Sequence, residues 1–310
     1  MKTLRDGVEE YLETRRALGF KLRLAGAALY DFVFFLEQEG ASYITTELAL
    51  RWATGPQEVQ PAWWANRLSF IRNFTRYWNA TDPRTEIPPL GLLPYRYQRC
   101  IPYIYNSEEI RRLLEAAKNL QPETGLKRWT YYALFGLLAV TGLRISEAIS
   151  LNCEEVDLER GILTIHDAKF RKSRFVPVHI STQNKLKQYV HHRDHYLPNR
   201  ISSNFFVSEK GKPLKDFTVR WTFVKLSRQI GLRGPSDSFG PRLHDLRHRF
   251  AASTLMHWYR SGLDVEQCLP TLSTYLGHAH VADTYWYLSA VPELLALAGS
   301  RVEKRWEVLP

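Results

Sequence analysis

Leu276-Gly277-His278, followed nine positions after the histidine by Tyr287 within Thr284-Tyr285-Trp286-Tyr287-Leu288, is the stretch on which the reading of this chain turns. It runs from the end of a helix expected near residues 265 to 276 into one expected near 280 to 289. A phenol is a nucleophile once a neighbouring group accepts its proton, so each tyrosine here is a candidate. Tyr285 and Tyr287 cannot both serve one ligand, because two residues along a helix turn the side chains through about 200°. With Tyr287 taken as the one that faces the ligand, Tyr285 and Trp286 are expected to be packing residues.

Working outward, His244-Asp245-Leu246-Arg247-His248 sets a histidine and an arginine three apart, on one face of a helix expected near 244 to 260. His244 and His248, four apart, could instead be metal ligands, but the glutamate of an H-E-x-x-H motif is missing and no third ligand presents itself, so no metal is expected. Further upstream, Thr141-Gly142-Leu143-Arg144-Ile145-Ser146-Glu147 places an arginine just after a helix break, where its fork can hold two phosphate oxygens. Taken alone, Arg144 would be an ordinary surface arginine on a capped helix.

Together, Arg144, His244-x-x-Arg247, His278 and Tyr287, in this order and spacing, resemble the tyrosine recombinase (phage integrase and Xer) family. The resemblance covers residues 105 to 290 and, more loosely, the N-terminal helices. It implies a chain that is mainly α with a small β-sheet, with an N-terminal helical core-binding domain ahead of a tyrosine-recombinase catalytic domain. It implies a site-specific recombinase in which Tyr287 forms a 3′-phosphotyrosine, leaving a 5′-hydroxyl that can attack a partner strand. It also implies a lysine at the tip of a β-hairpin. Lys169 fits by position, Lys172 is its rival, and whichever of Lys169, Arg171, Lys172 and Arg174 is not catalytic is expected to contact the DNA backbone. Roughly 30 residues separate Arg247 from His278, more than in simpler Xer enzymes, and this resembles the branch carried by transposons and other mobile elements.

The chemistry asks for these residue types. Attack on a phosphodiester adds negative charge, which Arg144 and Arg247 are suited to meet. A phenol with a reference pKa near ~10 needs an acceptor, for which His244 is the candidate base, with His278 donating to a non-bridging oxygen and Lys169 protonating the leaving 5′ oxygen. No cofactor is expected, since the phosphotyrosine stores the bond energy. The implied partners are double-stranded DNA, a homotetramer on two DNA sites and companion recombinases, with no membrane. Two other readings share most of these residues: a catalytically silent DNA-binding accessory protein, and a topoisomerase IB-like relaxing enzyme.

The rest of the chain is consistent with this frame. Apolar residues recur at helical spacing from Leu4 to Leu18, Leu24 to Glu39, Thr46 to Ala53 and Pro61 to Trp78, where Trp64, Leu68, Ile71 and Tyr77 can share one face. These give a helical bundle over residues 1 to 80. Five prolines between 81 and 105 predict an extended connector. The catalytic domain is expected over 106 to 291, opening with a capped helix at Asn106 or Ser107, and helices are expected near 128 to 140, 145 to 151, 181 to 195 and 214 to 230. Ile162-Leu163-Thr164-Ile165 and Phe175-Val176-Pro177-Val178 read as strands of a hairpin or meander with Pro177 at an edge. A tail helix over 292 to 310 carries Leu294, Leu295, Leu297 and Val302, to pack either on its own domain or on a neighbouring protomer.

Composition sets the outer bounds. The 310 residues carry 42 Lys and Arg against 32 Asp and Glu, a net +10, which suits a nucleic-acid binder without proving one. Hydrophobic residues at 45% and charged residues at 24% exclude a disordered chain. Cys100, Cys153 and Cys268 give neither a disulfide framework nor a zinc pair, and the apolar run Tyr131 to Val140 falls short of the ~20 residues of a membrane span. The chain is therefore read as cytoplasmic.

Overall fold

A computed structural model describes residues 2–94, 101–166, 173–199 and 201–307. Among these, residues 2–94 form one compact unit and those from Ile101 onward another.

The first unit is four helices: α1 (Leu4–Ala17), α2 (Arg23–Gln38), α3 (Thr46–Thr54) and α4 (Pro61–Trp78). Thr3 and Asp6 cap α1 reciprocally, each side chain accepting from the other's backbone N–H. Val8, Leu12, Leu29, Phe32, Leu36, Leu68, Ile71 and Phe74 fill the core, each no more than 1% exposed. On α4 the inward face is Leu68, Ile71, Phe74 and Trp78, the i, i+3, i+6 and i+10 positions. Trp64 and Tyr77, expected on that face, sit at its rim, where the Trp64 indole N–H donates to Pro56 O at 2.8 Å. The proline-rich stretch expected to be a connector is tied to the bundle at its start. Arg72 donates to the carbonyls of Pro88 and Pro89, and Glu86 bonds through its backbone to Ile44 O and through its carboxylate to Thr46 N.

The second unit packs nine helices around two apolar clusters, among the described residues, with a small sheet at one side. Asn106 caps α5 (Ser107–Lys118), accepting from Glu109 N while the Glu109 carboxylate accepts from Asn106 N. The central element is α6 (Lys127–Thr141), buried nearly all round by Tyr131, Leu134, Phe135, Leu137 and Leu138. After α7 (Ile145–Ser150), the strands β1 (Val156–Asp157), β2 (Ile162–His166) and β3 (Ser173–Pro177) form an antiparallel meander in the order β1-β2-β3. Leu163 pairs with Val176 and both are fully buried, while Pro177 lies on the edge strand, where its missing N–H costs no ladder bond. The helices α8 (Ile180–Tyr196) and α9 (Asp216–Gln229) complete the larger cluster.

The smaller cluster is built by α10 (Asp245–Arg260), α11 (Val265–Leu276), α12 (Ala282–Ala290) and α13 (Pro292–Glu307). The tail helix packs on α10 and α12 of its own unit through Leu294, which is fully buried, whereas Leu295 is 52% exposed. No helix among the described residues is long and apolar enough to cross a membrane.

Candidate active site

Three chain breaks bring the candidate residues together. The first is the end of α6, where Gly142 adopts φ +62°, and a Cβ there would lie 2.7 Å from the Phe250 ring. Only glycine turns the chain left-handed in so small a space. The turn delivers Arg144 to the start of α7. There the Glu147 carboxylate accepts from Arg144 N at 2.9 Å and from its guanidinium at 2.7 Å. A second arm of Arg144 donates to Gly277 O at 2.8 Å.

The second break is the start of α10, which carries Arg247 inward to 2% exposure. Its guanidinium donates to Gly142 O at 2.8 Å and to Leu276 O at 2.7 Å. These carbonyls end α6 and α11, so a cation meets two helix C-termini whose acceptors have no intrahelical partner. Burial, and then the positive charge of Arg144, pull Arg247 down to about 10, which still leaves it charged at neutral pH. Two buried or half-buried arginines thus face one region, a field that favours an anion.

The third break is the left-handed Gly277 after α11, at φ +68°, which turns His278 back toward α12. His278 Nδ1 lies 2.8 Å from Thr284 Oγ1, and its ring stacks on Tyr287 with centroids 6.2 Å apart. Tyr287 is 2% exposed, and its hydroxyl lies 3.3 Å from His248 Nδ1. His244 immediately precedes α10 and stands edge-on to His248, ring centroids 4.7 Å apart. Burial first, and the Arg247 charge second, lower both His244 and His278 to about 4. His244 is an exposed residue. The Arg247 charge acts in the same direction as burial, and the ring is neutral at pH 7.

Arg144, His244, Arg247, His278 and Tyr287 therefore share one site. Lys169 and its rival Lys172 lie outside the described residues. Among the described residues no group of three or more His, Cys, Asp and Glu is placed to hold a metal ion.

Two expectations are corrected. Tyr285 is not a packing residue, being 48% exposed; the half-turn that buries Tyr287 points it outward. Arg174 is not a backbone contact on the surface. It is 9% exposed along its side chain, donates to both Glu147 oxygens at 3.2 and 2.8 Å, and reaches Tyr275 O at 2.8 Å. The period of a strand foreshadows this, since Arg174 shares a face with buried Val176 while Phe175 points out at 71% exposure. Glu147 was also missed as a site residue. Burial pushes its carboxyl up, but the hydrogen bonds and charge of Arg174, with those of Arg144, outweigh this and hold it low and ionised. His248, weighed from sequence only as a metal ligand, is the imidazole that meets the tyrosine hydroxyl.

Comparison with known proteins identifies the family. The phage integrase family model matches residues 104–293, more than half of the chain. The chain belongs to the phage integrase family. It is a tyrosine recombinase, an enzyme of site-specific DNA recombination. This recombinase is 52% identical over 311 residues to y4rB of Sinorhizobium fredii, classed as an integrase/recombinase, covering 99% of each chain. It is 34% identical over 225 residues to the tyrosine recombinase XerD of Neisseria meningitidis serogroup B, covering 72% of this chain and 70% of XerD. Among solved structures, the Tn1549 transposon integrase in complex with transposon right end DNA superposes with a TM-score of 0.69 at 14% identity, over 98% of this recombinase and 99% of that chain. The XerH recombinase bound to a difH substrate gives 0.66 at 20% identity, over 90% and 78%. At such identities the two structures show the shared fold.

Proposed function

We propose that this recombinase cuts and rejoins DNA through a 3′-phosphotyrosine made by Tyr287, and that it moves a mobile element. The observation that carries the chemistry is that the Tyr287 phenol lies against His248 and His278, while Arg144 and Arg247 are bound to the backbone of Gly277 and Leu276 that leads into His278. Tyr287 Oη attacks phosphorus and the bond to the 5′ oxygen breaks. The phenol proton passes to an imidazole, for which His244 is the candidate, and Lys169 protonates the departing oxygen. Arg144 and Arg247 keep free some of the five N–H donors each guanidinium carries, and these bind the non-bridging oxygens as charge develops, joined by His278. Fixed cations perform the charge stabilisation that a divalent metal supplies elsewhere.

The mobile-element role is supported by the likeness to a transposon integrase over nearly the whole chain. A tetramer on two DNA sites is supported by likeness to a lambda integrase tetramer bound to a Holliday junction, at TM-score 0.58. Companion recombinases are supported by two relatives in one Sinorhizobium strain, at 52% and 33% identity.

The test is denaturing-gel detection of protein covalently joined to a suicide DNA substrate that carries the terminal sequence of the host element. Wild type and Tyr285→Phe form the adduct, and Tyr287→Phe does not while still binding the DNA. Specific binding by wild type with no adduct would leave a DNA-binding accessory protein, and sequence-independent relaxation of supercoils would mark a topoisomerase.

A further inference from the structure

The hydroxyl of Tyr287 is met by a residue outside the proposed catalytic set. His248 stands on the first turn of α10, is 9% exposed, and presents Nδ1 to Tyr287 Oη at 3.3 Å. Its ring is wedged between His244, at 4.7 Å, and Trp286, at 5.2 Å, both centroid to centroid, which leaves it little freedom to turn. On its far side lies the carboxylate of Asp245, 1% exposed and fixed by Arg242 through its backbone N at 2.7 Å and its guanidinium at 2.9 Å. Asp245 Oδ1 is 4.0 Å from His248 Nε2. That is too long for a hydrogen bond, yet near enough for the anion to favour the tautomer with its proton on Nε2. The Nδ1 lone pair is then turned to the phenol.

We propose that His248 is a positioning residue for recombination: its Nδ1 accepts the hydrogen bond of the Tyr287 hydroxyl and fixes the direction of the nucleophile before attack. The inference rests on Tyr287 being that nucleophile.

Three groups of charges face this ring. They are His244, Asp245, Arg242 and Arg247 from around α10, His278 from the turn after α11, and Tyr287 itself from α12. Burial first, and then His244 and the arginines, lower His248 to about 3. Such a ring stays neutral at neutral pH, so its Nδ1 lone pair remains available to accept from the phenol. The role is geometric, and a small misplacement of a reacting atom can cost on the order of 100-fold in rate.

Single-turnover adduct formation on the suicide substrate tests this with two variants. His248→Asn keeps an acceptor near the place of Nδ1, and His248→Leu removes it at similar volume. DNA affinity and thermal midpoint are measured alongside. The expected result is a loss of about 10- to 100-fold in the cleavage rate for His248→Leu at unchanged DNA affinity, largely recovered in His248→Asn. Equal impairment of both variants overturns the proposal, as does wild-type speed in His248→Leu. A faster His248→Leu also overturns it, since His248 would then be holding the hydroxyl away from the phosphate. If His248→Leu does not fold, His248→Gln, whose amide falls nearer the place of Nε2, takes its part against His248→Asn. Failure of the underlying reading shows separately, as a wild-type adduct that survives Tyr287→Phe.

Discussion

Among the described residues of the bundle, 2–94, the buried polar side chains are Thr75 and Thr85. In the unit from Ile101 onward, Glu147, Arg193, Asp245, Arg247 and His248 are all buried. The bundle keeps its charges at the rim, as in Arg5 with Glu37, where both side chains are about half exposed. Its sequence also holds no histidine, while all ten lie in the other unit. The core of one unit is apolar apart from two threonines; the other sets ionised groups in its interior, which is tolerable only because each finds a partner. Among the described residues, buried ionised side chains are thus confined to the unit that carries the candidate site.

Neutralising a buried partner should break this contrast most severely. Glu147→Gln leaves Arg174 and half-buried Arg144 without their shared charge, and should cost the second unit about 3–5 kcal/mol. The cleavage rate should fall with it, because Arg144 loses its anchor. Leu29→Ala should cost the bundle about 2–5 kcal/mol through a cavity and leave cleavage by the folded protein unchanged. Denaturant unfolding with single-turnover cleavage reads both, and a wild-type midpoint for Glu147→Gln would show that the network holds nothing.

Acid should divide the units next. His248 and His278 have folded pKa values of about 3 and about 4, below the ordinary unfolded value near ~6.5. The unfolded chain therefore binds more protons as pH falls below that value. Their contribution is complete above about pH 6.5 and is lost progressively toward the folded values, on the order of 1–2 kcal/mol each at pH 5. Glu147, depressed when folded, contributes stability above the unfolded carboxyl value that is lost as pH falls through its own. Hydrogen exchange between pH 7 and pH 5 should show the second unit loosening while the histidine-free bundle does not. Equal loosening of both would remove the histidines as the cause.

The smallest effect belongs to the rim. Arg5→Ala should change bundle stability by no more than about 1 kcal/mol, and less in high salt, because its pair with Glu37 is exposed. A larger loss in a denaturant titration would mean that surface charge matters more to the bundle than its packing suggests.

Much of this was legible beforehand because it is local. Helical period placed the elements from α1 to α13 within a few residues, and the prolines and β-branched runs placed the turns and the two longer strands. The gathering of Arg144, His244, Arg247, His278 and Tyr287 in one place is legible because their spacing repeats a known pattern. What escaped depends on tertiary approach. Arg174 is drawn inward by Glu147, which lies 27 residues earlier. His248 finds Tyr287 39 residues away. Trp64 and Tyr77 drift to the rim because the core face of α4 is narrower than the full apolar arc of its sequence. The two-residue strand β1 is too short to carry a period.

Gly277 carries a consequence for anyone diversifying this enzyme. A Cβ at that position would lie 2.6 Å from the Arg174 guanidinium, which is pinned by Glu147 and Tyr275 O and cannot swing aside, and the backbone there is left-handed as well. Saturation libraries spanning the stretch should return a single amino acid at 277, while Ala279, two residues on and exposed, should accept many. The boundary between frozen and variable sequence thus runs within three consecutive codons.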